Sequence, residues 1–99
     1  MNLKNEFDPI RNWAKNREIY SKGDIKTQTI KLFEEVGELS KAILDNNEHE
    51  IIDAIGDIVI VLTNLSKLKN LNIEDCVNSA YKVIQNRNGK MFNGTFVKE

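Results

Sequence analysis

Ninety-nine residues make one domain, residues 1–99, near the lower end of the usual range, and a chain this short buries a modest fraction of its surface when alone. With 29% charged and 40% hydrophobic residues, the composition is that of a folded chain and not a disordered one. A net charge of -1 leaves no basic footprint, so composition points away from nucleic acid and from acidic membrane surfaces as partners.

Oligomerisation is expected on size alone. The N-terminus lacks the basic-then-apolar layout of a signal peptide, and the longest apolar run, Ile58 to Leu62, is far too short to span a bilayer. A single cysteine, Cys76, has no partner for an internal disulfide and reads as a buried thiol in a reducing, cytoplasmic compartment.

Phe7, Ile10, Ala14 and Arg17 follow one helical face, and Pro9 suits a first turn, which predicts a helix from about Pro9 to Arg17. Trp13 lies on or beside its packing face, either as an anchor into the bundle or as a contact for a nucleobase. Ile19 to Asp24 reads as a connector turning at Gly23, and Asp24 with Thr27 offers a helix cap. A second helix is predicted over Ile25 to Leu44, with Leu32, Val36, Leu39 and Ile43 as its apolar stripe. On a helical wheel Glu35 lies about 70° from the centre of that stripe, Glu38 about 130° away and Glu34 on the far side. Glu35 and Glu38, one turn apart, can reach a shared ion from the border of the core.

Asn47 with Glu50 makes a capping-box variant that starts a third helix, about Glu48 to Lys69, apolar on nearly every side from Ile51 to Leu68. So much apolar surface predicts cover from all round, part of it from another subunit. The polar exceptions Glu50, Asp53, Asp57 and Asn64 share one stripe about 60° wide, which reads as the wall of a site. Gly37 beside Glu38 and Gly56 beside Asp57 would allow close approach of helices or of a ligand. Asn72 and Asp75 suit the start of a fourth helix ending near Asn86, with Ile73, Val77, Ala80, Tyr81 and Ile84 as its apolar positions. The closing stretch, from about residue 88, reads as an extended arm or a small hairpin.

An ionised carboxylate facing a packed interior costs several kcal/mol unless it is paired or coordinates a metal. Glu35, Glu38, Asp53 and Asp57, two from each of two antiparallel helices, match the oxygen-rich shell of Mg²⁺, with Mn²⁺ as the second choice. The competing account is a solvated face with intrahelical pairs, such as Lys31 with Glu35 and Glu34 with Lys41. His49, without a glutamate three residues before it, does not make a di-iron motif and reads as a surface residue. Lys82, Arg87 and Lys90 cluster late in the chain and suit phosphate contacts, or equally a plain solvated face.

With E-E-x-x-E matched by Glu34, Glu35 and Glu38, and with DAIGD opening an apolar helix, the sequence resembles the short, single-domain MazG-like nucleotide pyrophosphohydrolases. It departs from them at Ala54, where the second helix of the family carries a glutamate; Asp53 is the nearest replacement and Glu50 the reserve. The resemblance implies an all-α fold, here a four-helix bundle-like protomer with a short C-terminal arm. It further implies Mg²⁺-dependent hydrolysis of a nucleoside triphosphate to the monophosphate and pyrophosphate, and a dimer or tetramer with the active site near a subunit interface. In that setting Glu34 or Glu35 orients the attacking water, Lys82, Arg87 and Lys90 hold the phosphates, and Trp13, Gln28 and Asn64 meet the base. The alternatives are a non-catalytic helical module that binds nucleotide or a protein partner, and a related enzyme acting on phosphoribosyl-ATP.

Overall fold

A computed structural model describes residues 1–99. Five helices run in order, α1 (Asp8–Asn16), α2 (Ile19–Lys22), α3 (Ile25–Leu44), α4 (Glu48–Leu68) and α5 (Ile73–Ile84), followed by strands β1 (Gly89–Phe92) and β2 (Thr95–Lys98). The fold is all-α with a C-terminal hairpin, and the predicted connector contains the single turn of α2. All the other helices pack on α4, most extensively α3, while α5 touches α4 and not α3.

The helix ends have local causes. Asp24 Oδ1 accepts from the Thr27 N–H at 2.8 Å and Asn47 Oδ1 from the Glu50 N–H at 3.2 Å, as the capping signals predict. Asn72 starts α5 without a side-chain cap. Asn46 and Asn70 take left-handed φ values of 54° and 60° just past α3 and α4. Each ends its helix with a pair of backbone bonds, Asn47 N–H to Ala42 O and Asn46 N–H to Ile43 O, then Leu71 N–H to Ser66 O and Asn70 N–H to Lys67 O, the Schellman arrangement. In the hairpin, Asn93 and Gly94 at φ 50° and 83° form the two-residue turn whose twist matches paired strands. That dipeptide decides between the two readings of the arm.

Only ten of 99 residues are buried and five of those are polar, so the chain does not enclose its apolar side chains by itself. Its accessible surface is 7626 Å², against about 5,800 Å² for a compact monomer of this mass. The radius of gyration is 15.8 Å, against about 12.6 Å for a compact chain of this length.

Several expectations are corrected. The α3 face against α4 is not centred on Leu32, Val36, Leu39 and Ile43. It carries Gln28, Leu32, Glu35, Leu39 and Ala42, while Val36 and Ile43 are exposed. Helix α4 is covered along its C-terminal half, where Val61, Thr63 and Asn64 are buried, but Ile52 and Ile55 face outward nearer its start. A Cβ at Gly37 or Gly56 would meet nothing within 4 Å, so neither glycine serves a close helix approach in the chain. Cys76 is exposed and not buried, because α5 packs through Ile73, Glu74, Asn78 and Tyr81 on its other side.

The most completely paired polar cluster joins the two ends of the chain. Arg11 donates from Nη1 to Glu74 Oε1 at 2.7 Å and from Nη2 to Glu74 Oε2 at 2.6 Å, and the Phe7 N–H donates to the same carboxylate at 3.0 Å. Glu74 is fully buried, and the Arg11 guanidinium holds its carboxyl down at about 2. This pair pins α1 against α5 across α4.

Candidate metal centre and nucleotide cleft

Helix α3 presents its acids at three depths. Glu35 is buried against α4, whereas Glu38 and Glu34 are exposed on the shoulder beside it. Lys31, one turn earlier, lies 3.4 Å from Glu35 Oε1 and 4.0 Å from Glu34. The expected Lys31–Glu35 pair therefore exists. The Glu34–Lys41 pair does not, because Lys41 reaches Asp45 at 2.7 Å, one turn away instead of two.

Lys31 satisfies half of Glu35. Its other oxygen, Oε2, is buried without any hydrogen-bond partner, and no other buried side-chain oxygen or nitrogen in the structure is left so. An unpaired buried acceptor is costly. Alongside it the Glu38 carboxyl is pushed above its ordinary range, chiefly by hydrogen bonding to Glu35 and by that group's charge, with a further contribution from Asp57. Glu35, Glu38 and Asp57 thus form one electrostatically linked group with too little positive charge. A divalent cation would satisfy the orphaned oxygen and relieve the repulsion together, so the residues fit a hard metal.

Two other acids of α4 fall in a second group, and one of them, Glu50, shares a cleft of about 390 Å³ with Glu38. Asp53 is exposed and its Oδ2 lies 3.8 Å from His49 Nε2. Ligand atoms of His49, Glu50 and Asp53 fall within 4.8 Å of one another, a second group able to hold a cation, though all three are exposed and none has an orphaned oxygen. Ala54, where the resemblance leads one to expect a glutamate, is buried and adds no ligand.

Above the acids a cleft of about 420 Å³ is lined by Trp13, Gln28, Lys31, Glu34, Ile60 and Asn64. Three side chains expected to meet a base therefore share one cavity with one of the expected water-orienting acids. Trp13 is 45% exposed with the Arg17 guanidinium 4.6 Å from its ring centre, so one aromatic face is already covered by a cation. Asn64 is buried and accepts a hydrogen bond from the Tyr20 hydroxyl at 2.7 Å. Tyr20 carries no signal in the sequence beyond being an aromatic residue in a connector, and its role comes from α2 packing on α4.

The late cations lie apart from this cleft. Lys82 lines a separate cleft of about 610 Å³ with Leu3, Asp75 and Asn78, and Arg87 and Lys90 are exposed beyond α5. None of the three forms an ion pair.

Residues 24–92 match the family model of the MazG nucleotide pyrophosphohydrolase domain, which takes in α3, α4, α5 and the first strand. The chain belongs to the MazG nucleotide pyrophosphohydrolase family. An uncharacterized 18.2 kDa protein of Haemophilus phage HP1 is 35% identical over 63 residues, 64% of this chain and 39% of that protein. An uncharacterized protein of Acanthamoeba polyphaga mimivirus is 41% identical over 56 residues, 52% of this chain and 22% of that protein. The chain thus matches about two fifths and about a fifth of these relatives' lengths. No solved structure matches. No helix of this MazG chain is long and apolar enough to cross a membrane.

Proposed function

We propose that this chain hydrolyses a nucleoside triphosphate, ribo or deoxy, to the monophosphate and pyrophosphate with Mg²⁺, clearing surplus or non-standard nucleotides from the cytoplasmic pool. The observation that carries the proposal is the buried, unpartnered Glu35 Oε2 beside a Glu38 carboxyl that holds its proton too tightly. Glu35, Glu38 and Asp57 would hold the metal, with Asp53 or Glu50 as a further ligand. Mg²⁺ there supplies charge neutralisation to the triphosphate and makes a bound water more acidic. Mn²⁺ suits the same oxygens.

Glu34, at the lip of the cleft, takes the proton of the attacking water as its oxygen bonds to the α-phosphorus. The bond from that phosphorus to the bridging oxygen breaks, and pyrophosphate leaves with the electron pair. Trp13 stacks on the base, while Gln28 and Asn64 meet its polar edge. Lys82, Arg87 and Lys90 lie apart from the cleft within one chain and would reach the phosphates from a second copy. An accessible surface about 1,800 Å² larger than that of a compact monomer is the amount a stable subunit interface removes from water, and supports a dimer or tetramer.

Pyrophosphate release from a panel of nucleoside triphosphates, with Mg²⁺ or Mn²⁺ and with EDTA, tests this reading. Metal-dependent release that disappears in Glu38→Gln is the expected result. The burial of Ala54 favours one rival, a module that binds nucleotide without turning it over. Nucleotide binding by a folded chain, with no release from any triphosphate, would establish that rival.

A further inference from the structure

The hairpin is the one part of the molecule with nothing packed on it. Neither strand packs against a helix, and an isolated two-stranded hairpin is at best marginally stable in water. Its register pairs Lys90 with Val97, Met91 with Phe96 and Phe92 with Thr95, so the two faces differ. On one face the Phe96 ring lies where a Cβ of Gly89 would sit, and Met91 and Phe96 are 65% and 48% exposed. On the other, Phe92 and Val97 are 63% and 47% exposed, with Lys90 beside them.

Charge says what this second face fits. From Lys82 to Lys98 the chain carries Lys82, Arg87, Lys90 and Lys98 and no acid. Between Glu34 and Asp57 it carries eight acids against one lysine, Lys41. The hairpin does not meet the acidic stretch within one chain, since the strands make no contact with α3 or α4. The acidic shoulder is bordered by exposed apolar side chains, Ile30 and Ile60 at the lip of the cleft and Ile52 one helical face away.

We infer that the hairpin of one copy docks on the acidic α3–α4 shoulder of a second copy, seating Phe92 and Val97 against Ile30 and Ile60 and delivering Lys90 to the phosphates in the partner's cleft. The role of Lys90 rests on the pyrophosphohydrolase reading; the docking does not. The acids keep an excess of negative charge within one chain, because Lys31 is shared between Glu34 and Glu35 and Lys41 is taken by Asp45.

The test uses full-length copies, one labelled with ¹⁵N and one not, mixed under conditions of subunit exchange and joined with a zero-length carbodiimide. Expected are links from Lys90 or Lys98 to acids of residues 34–57 that carry one label of each kind. Hairpin links that always keep a single label, or hairpin lysines that never link to those acids, overturn the docking. A second arm co-expresses Glu38→Gln with Lys90→Ala, each of which should be nearly inactive alone. Mixed dimers then hold one intact site, and activity returns to about a quarter of the native value. Mixed-label links in a native protein that releases no pyrophosphate leave the docking standing and remove the pyrophosphohydrolase reading. Mixed-label links and native activity without complementation overturn the supply of Lys90 in trans.

Discussion

Two buried carboxylates in this molecule sit in opposite circumstances. Glu74 has both oxygens engaged by the Arg11 guanidinium, with the Phe7 N–H added to one of them. Glu35 has one oxygen near a half-exposed lysine, the other orphaned, and a second carboxylate at its side. The first is a completed structural joint and the second is a joint with a member missing. Burial alone does not separate them; the state of their partners does.

The sharpest way to break the comparison is to remove the charge from each carboxylate without changing its size. Glu35→Gln should lower pyrophosphate release at least about 10²-fold if Glu35 is the metal ligand proposed above. It should leave the thermal midpoint unchanged or raised, since a crowded buried charge disappears and the pair to exposed Lys31 is worth little. A large drop in melting temperature, read by calorimetry, would mean that Glu35 is a structural residue like Glu74.

Glu74→Gln should do the reverse, costing about 3 kcal/mol, because Arg11 stays charged and buried with only the half-exposed Asp8 carboxylate, 2.9 Å away, to pair it. The sign with pH follows from the depressed carboxyl. The unfolded chain takes up the proton first, near 4.5, while the folded chain resists it down to about 2. The stability from this pair is therefore fully present above pH 4.5 and lost as the pH falls toward 2. Denaturant titrations between those limits should show a slope in the native protein that the variant lacks.

Supplying the missing member is a milder perturbation. Mg²⁺ or Mn²⁺ at a hundred times its dissociation constant should stabilise the fold by about 2.7 kcal/mol, and EDTA should abolish the gain. Because the Glu38 carboxyl is held above its ordinary range, proton and metal compete for it, and the gain should grow as the pH rises through that range. Glu74→Gln should keep the metal response and Glu38→Gln should lose it.

The two regions were unequally legible in the sequence. The acids of the candidate centre stand on neighbouring helices, and helical spacing was enough to put Glu35 and Glu38 one turn apart on α3. What spacing misjudged was depth. Val36 and Ile43 marked the core by their hydrophobicity, yet they are exposed in the single chain and Glu35 lies within the packed face. Hydrophobicity reports that a face becomes covered, not that this chain covers it. The Arg11–Glu74 joint gave no signal, because its members lie 63 residues apart and no local pattern links them. Tyr20 was invisible for the same reason, 44 residues from Asn64. The caps at Asp24 and Asn47 were legible because their bonds span three residues. Asn72, with equally good capping chemistry, starts a helix without using it.

The smallest effect tests whether the two regions are independent. Tyr20 stands between them: it shares a cleft of about 280 Å³ with Asp8 and Arg11, and its hydroxyl bonds Asn64 on the side of the nucleotide cleft. Burial raises the Tyr20 hydroxyl above its ordinary range, so it stays protonated and able to donate at neutral pH. Tyr20→Phe removes that one hydrogen bond and should cost about 1 kcal/mol. If the joint only holds the chain together, Tyr20→Phe and Glu74→Gln should add within about 0.5 kcal/mol in a double-mutant cycle. A larger coupling would mean that the Arg11–Glu74 pair sets the position of α2, and through Tyr20 the orientation of the Asn64 amide in the cleft. Tyr20→Phe would then raise KM for nucleotide with little change in kcat, since the role proposed for Asn64 is at the base and not at the reacting phosphorus.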